Sequence, residues 1–200
     1  NRFDAVMSRA REESDLLIFH HCRHVWKTIK DPISVKRNDR LIIGLSLLKQ
    51  REPDKKFTLV LLEYGSDVNA SKTLVSELEL EADVIWLPML SRKELMTCLY
   101  YVDVVAGAFN LSWYSYGVVY EAMTMGKPIL HYREDALYQG LYPSLYPMYN
   151  AQDEEAIADK LMEILHDPDG AESIGVAARN WYSTYVVENT LRILREKALF

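Results

Sequence analysis

The sequence predicts an α/β fold, a doubly wound parallel sheet with helices on both faces. Three observations carry that prediction. Leu16–His20, Phe57–Leu62, Asp83–Leu87 and Val102–Gly107 are solidly apolar rather than alternating, as strands covered on both faces are. Apolar residues at helical spacing, such as Leu41, Ile42, Leu45 and Leu48, fill the segments between them. Start and stop signals separate the two kinds of segment, so strands and helices alternate.

In chain order, residues 1–13 read as an amphipathic helix with Phe3, Val6, Met7 and Ala10 on one side. The first strand is Leu16–His20. A polar stretch with Pro32 runs from Cys22 to Arg37, and Asn38-Asp39 caps the next helix. The second strand ends near Gly65, and Ser71 is read as the cap of a helix carrying Leu74, Leu78 and Leu80. Asp83–Leu87 stops at Pro88. Ser91-Arg92-Lys93-Glu94 is a capping box for a helix through Tyr100. Val102–Gly107 and Ile129–Tyr132 are the fourth and fifth strands, and Pro147–Tyr149 a short sixth. Helices over about 153–165, 170–183 and 186–198 close the chain.

The 200 residues, 49% of them apolar, suit one domain with a sizeable core. A net charge of −6 argues against nucleic acid as a partner. Cys22 and Cys98 form no ligand or disulfide pattern, which points to a reducing, cytoplasmic setting. No apolar run is long enough to cross a bilayer, and no secretory leader opens the chain. The chain starts at Asn1 without a Met, as expected of a fragment. We divide it into a linker or the end of a preceding domain, 1–14, and a folded domain, 15–200.

The segment Ser115–His131 organises the rest. Gly117 stands at a helix entrance, where the first-turn N–H groups have no intrahelical acceptor and carry the positive end of the dipole. Such an entrance accepts phosphate or sugar oxygens. Glu121, one turn inside, can accept hydrogen bonds from vicinal hydroxyls, and the sequence reveals no structural partner for it. An ordinary loop–helix–strand unit would show the same spacing. Arg23 and Lys36 open and close the loop after the first strand; they suit a diphosphate, and they equally resemble solvated loop charges. Alternate side chains along an extended chain point to opposite faces, so at most a subset of His20, His21 and His24 could converge on a metal, and no second ligand cluster has a suitable spacing. We read His21 or His24 as a pocket lining and His131 as structural. Phe109, Trp113, Tyr114 and Tyr116 could stack on a sugar or base, or fold over the sheet edge. The Tyr138–Tyr149 stretch reads as packing of an irregular connection or as a partner surface.

In their shared order these features resemble the carboxy-terminal, donor-binding domain of glycosyltransferases of the GT-B fold, the large group with glycogen synthases and mannosyltransferases. The match runs from about Leu16 to the end. It rests on Arg23 with Lys36-Arg37-Asn38-Asp39, on Leu59–Gly65, on Val84–Pro88 with Lys93-Glu94-Leu95, and on Val102–Val105. It rests most on Gly117 with Glu121-Ala122-Met123-Thr124-Met125-Gly126-Lys127-Pro128. The resemblance implies a Rossmann-like half of a GT-B enzyme that binds a UDP- or GDP-sugar. Arg23 and Lys36 would hold the diphosphate and provide its charge stabilisation. The backbone of Gly117, Val118 and Val119 would meet phosphate or sugar oxygens. Glu121 would bind the ribose, and Met89 and Leu90 would flank the base; Trp113 and Tyr116 remain the aromatics that could stack on a sugar or base. No metal and no cofactor is called for.

The acceptor (a sugar, lipid or polysaccharide) would sit on a missing amino-terminal domain, so the fragment alone would be inactive. The full-length enzyme would be cytoplasmic, with peripheral association at the inner face of the membrane. Three features depart from the family pattern. Trp113 stands where the first Glu of Glu-x7-Glu belongs. Three residues rather than four separate Gly117 from Glu121. The loop from Arg23 to Lys36 is long, and Arg37 replaces a Gly. The rival readings are a nucleotide-sugar 2-epimerase of the same fold and a non-catalytic binding or assembly domain.

Overall fold

A computed structural model describes residues 2–197. Its six strands are β1 (Leu16–His20), β2 (Phe57–Leu62), β3 (Val84–Leu87), β4 (Val104–Ala106), β5 (Ile129–His131) and β6 (Tyr149–Asn150). They form one sheet in the order β3-β2-β1-β4-β5-β6. Every pairing is parallel. The doubly wound parallel sheet expected from the apolar runs is therefore present. The strand order reverses between β1 and β4, which opens a crevice beyond their carboxyl ends.

The helices are α1 (Asp4–Glu13), α2 (Asn38–Arg51), α3 (Val68–Glu77), α4 (Arg92–Tyr101), α5 (Gly117–Thr124), α6 (Glu154–His166), α7 (Pro168–Tyr182) and α8 (Asn189–Glu196). Successive strand residues point to opposite faces, and this divides the core in two. Leu17 and Phe19 of β1 pack with Met7 of α1, Leu99 of α4, Val119 and Met123 of α5 and Trp181 of α7. Leu16 and Ile18 pack on the other face with Leu41 and Leu45 of α2, Val75 of α3 and Ile157 and Leu161 of α6. Residues 4–13, expected as a linker or the end of another domain, form a helix whose Met7 and Ala10 are buried in this core. Tyr101 donates to Asp4, and Arg11 pairs with Asp103, which ties α1 to the strand edge.

Several boundaries differ from the sequence reading. α3 starts at Val68, so Ser71 lies inside it rather than at its cap. β4 is shortened to Val104–Ala106 because the Asp103 carboxylate already takes the Leu17 N–H. β6 is shifted to Tyr149–Asn150. The closing segment has a π turn over Ser183–Glu188 between α7 and α8. The expected end of the last helix, residue 198, lies outside the described residues.

Candidate functional site

The crevice floor is made by the end of β1. His20 is fully buried; its Nδ1 lies 3.0 Å from the Ala106 carbonyl of β4 and its Nε2 2.7 Å from Asn38 Nδ2 of α2. The carbonyl can only accept, so Nδ1 carries the hydrogen. Burial pushes the pKa of His20 down to about 3, so the ring is neutral. It joins both strands of the switch point to the helix that follows the loop.

That loop is held without regular structure. Asp67 Oδ2 accepts from the N–H groups of Trp26, Lys27 and Thr28 at 2.7, 2.8 and 3.0 Å. Burial works to raise the Asp67 pKa, but these donors outweigh it and hold the carboxyl well below its usual range. Ser71 is drawn inward: its Oγ lies 2.7 Å from His24 Nδ1 and accepts from Trp26 Nε1 at 2.8 Å. This explains why Ser71 does not cap a helix. Gly65, at φ 117°, lets its backbone press on that of His24, where a Cβ would come within 2.4 Å.

At the other end of the loop, Lys36 donates its N–H to Val25 at 2.7 Å, and its carbonyl accepts from Phe109 at 3.0 Å. Arg37 has a left-handed backbone, φ 55° and ψ 48°, a conformation that costs little only for Gly. Its guanidinium grips Asp39 at 2.7 Å, which offsets part of that cost.

α5 begins at Gly117 with Tyr116 as its N-cap and no side-chain cap. Among the described residues, the N–H groups of Gly117, Val118 and Val119 meet no protein acceptor. Open space surrounds the Gly117 Cα, while the side chains of Val118 and Val119 anchor the turn in the core. The Tyr116 ring turns under the loop. Its hydroxyl accepts from the Ala108 N–H at 2.6 Å, and Lys36 Nζ lies 5.5 Å from its ring centroid. Tyr116 is thus a support for Lys36 and the β4 loop, with its hydroxyl and one face taken.

Glu121 has two partners that the sequence does not reveal. His21 Nε2 lies 2.7 Å from Glu121 Oε2, and Arg92 Nη1 pairs with Oε1. Burial outweighs the opposing charge of Lys36 and, with Glu121 against Arg23, leaves the Cys22 thiol pushed up to about 12. Among the described residues neither the Arg23 nor the Lys36 side chain has an acidic partner. A cavity of about 270 Å³ adjoins Arg23, lined also by Thr28, Lys30, Ser34 and Gly65.

Other expected residues are dispersed. Met89 is 68% exposed beside the crevice, and Leu90 packs partly against the core. Trp113 is 37% exposed. Phe109, which could have stacked on a ligand or folded over the sheet edge, is fully buried. Tyr114 stacks with Tyr142 and meets Tyr138, Tyr146 and Trp181 edge-on or tilted, so it packs the irregular connection. His131 is fully buried and bonds Tyr146 at 3.0 Å, a structural place as expected. The larger cavity, about 630 Å³ and bordered by Arg11, Asp103, Lys127 and Arg179, opens at the amino ends of the strands. It shares no lining residue with the α5 entrance, Arg23 or Lys36. Among the described residues no group of three or more His, Cys, Asp or Glu could hold a metal ion.

Residues 33–181 match the sequence profile of the family described as glycosyl transferases group 1. The chain belongs to that family. A search of curated proteins finds no match. Among solved structures, HepE from Anabaena in complex with UDP is similar over 98% of this chain and 53% of its own, with 18% identity and a TM-score of 0.71. The carboxy-terminal domain of LpcC, a group 1 glycosyl transferase of Francisella tularensis, aligns over 90% of this chain and 91% of its own, with 16% identity and a TM-score of 0.66. Sucrose-phosphate synthase from Thermosynechococcus elongatus aligns over 99% and 49%, with 17% identity and a TM-score of 0.63. The group 1 chain therefore has the Rossmann-like α/β fold of these GT-B glycosyltransferases. It spans about half the length of HepE.

Proposed function

We propose that this group 1 domain binds the nucleotide-diphospho-sugar donor, a UDP- or GDP-sugar, for transfer to an acceptor held by an amino-terminal domain. The observation that carries the reading is the uncapped entrance of α5. Among the described residues the N–H groups of Gly117, Val118 and Val119 meet no protein acceptor, Lys36 Nζ lies over the ring of the preceding Tyr116, and neither Lys36 nor Arg23 has an acidic partner. A helix entrance favours an anion, and Arg with Lys adds a fork and a point charge. Complexes of HepE with UDP and with UDP-glucose support the same class of ligand.

In this reading the diphosphate rests on Gly117, Val118 and Val119 and is held by Arg23 and Lys36. The ribose hydroxyls meet Glu121, and the base lies toward Met89 and Leu90. When the sugar leaves, negative charge grows on the diphosphate. The donors are already oriented around it, so stabilising that charge needs no reorganisation. Holding the donor in one pose contributes further. The full-length enzyme would be cytoplasmic, working at the inner face of the membrane. No helix among the described residues is long and apolar enough to cross a membrane.

Calorimetric titration of the chain with UDP, GDP and their glucose and mannose conjugates tests the reading. Binding of one diphosphate series is expected. An absence of binding to every one would favour a non-catalytic assembly domain, a reading for which Trp113 in place of an acidic residue speaks.

A further inference from the structure

The Glu121 carboxylate is held on two sides by unlike donors. The inner donor is His21, whose side chain is 3% exposed and bonds Oε2 at 2.7 Å. The outer donor is Arg92, the first residue of α4, whose side chain is 72% exposed and pairs with Oε1. Glu121 itself is 13% exposed. A carboxylate only accepts, so His21 Nε2 carries the hydrogen. His21 Nδ1 is buried without a partner, so Nε2 is the contact that fixes the ring on its polar side. Phe19 fixes it on the other, with ring centroids 4.9 Å apart.

The two donors therefore differ in kind. Arg92 is long, hydrated and replaceable. His21 is short, dry and set by the end of β1. A ligand hydroxyl reaching Oε1 can displace Arg92 and leave His21 in place. A carboxylate with about four lone-pair sites can keep the His21 bond and still accept from two vicinal hydroxyls.

We propose that His21 is a positioning residue for ribose recognition: it fixes the Glu121 carboxylate toward the crevice while Arg92 gives way to the ligand. The proposal rests on the donor-binding reading above. His21 lies 100 positions from Glu121. It directly follows the last residue of β1, in the loop that also carries Arg23, so one strand end presents the ribose contact and the diphosphate contact.

The test compares UDP and GDP with their 2′,3′-dideoxy forms, by calorimetry, for the parent chain, His21→Phe and His21→Gln. Phe keeps a ring in the same space and removes the donor; Gln keeps an N–H. The parent is expected to prefer the ribose form by about tenfold, the scale of a hydrogen bond to a charged group. His21→Phe is expected to reduce that preference to about twofold with little change for the dideoxy form, and His21→Gln to restore most of it. If His21→Phe does not fold, His21→Met, likewise without a donor, takes its place. A variant without the donor that keeps the full preference overturns the proposal and leaves the donor reading standing. So does an equal loss for ribose and dideoxy forms, which would mark His21 as merely structural. A parent that binds the nucleotide without any preference removes the Glu121 assignment and this proposal together. A parent that binds neither nucleotide removes the donor reading itself.

Discussion

The Lys36 ammonium lies 5.5 Å from the centroid of the Tyr116 ring. Lys36 closes the loop after β1, and Tyr116 directly precedes α5, so this contact joins the two walls of the crevice. It keeps a cation beside the uncapped entrance, at a distance where a cation–π attraction still operates.

Arg23→Ala and Lys36→Ala are each expected to weaken UDP or GDP binding by about 1.5–3 kcal/mol, the range for a charge-assisted hydrogen bond. The bare nucleoside should bind as before. Calorimetry on the diphosphate and the nucleoside checks this. Unchanged diphosphate affinity in both variants would place the phosphates elsewhere.

Gly107→Ala is expected to disturb the same wall from behind. A Cβ there would stand 2.2 Å from the Tyr116 hydroxyl and 2.9 Å from the His131 Cβ. The Tyr116 ring must move and gives up the Ala108 N–H. Overpacking of this kind costs about 1–3 kcal/mol. Urea denaturation should show that loss, with weaker diphosphate binding alongside it. A variant as stable as the parent would mean that the loop yields freely.

Stability is expected to fall as the solution is acidified from pH 7 toward pH 4. Burial lowers the pKa of His20, His24 and His131 from 6.5 to about 3, 4 and 3. Between pH 6.5 and about 4 the unfolded chain binds protons that the folded chain refuses, so folded stability rises with pH in that window. Each fully titrating histidine contributes about 1.4 kcal/mol per pH unit. Urea midpoints at pH 7.5, 6 and 5 measure the effect. A midpoint that holds steady or rises between pH 6 and pH 5 would show that the rings take protons while folded.

Local signals made much of the fold legible. The solid run Leu16–His20 is typical of a strand covered on both faces, and Ser91 with Glu94 form the capping box that their spacing announces. The entrance at Gly117 was equally plain, because a glycine before an apolar helical run needs no tertiary information. What stayed hidden depends on partners far along the chain. Ser71 looks like a cap until His24 and Trp26 claim its hydroxyl across more than 40 residues. Glu121 looks free until His21 and Arg92 reach it from other elements. Phe109 could stack on a ligand or fold inward, because an aromatic in a polar loop says nothing of the direction it turns; it is buried.

The most direct test is an amide NMR titration of the chain with UDP and with GDP. The account predicts saturating shifts at Gly117, Val118 and Val119, together with Arg23 and Lys36, for one of the two nucleotides. Shifts confined to Asp103, Lys127 and their neighbours at the amino ends of the strands, or none at the α5 entrance, would contradict it.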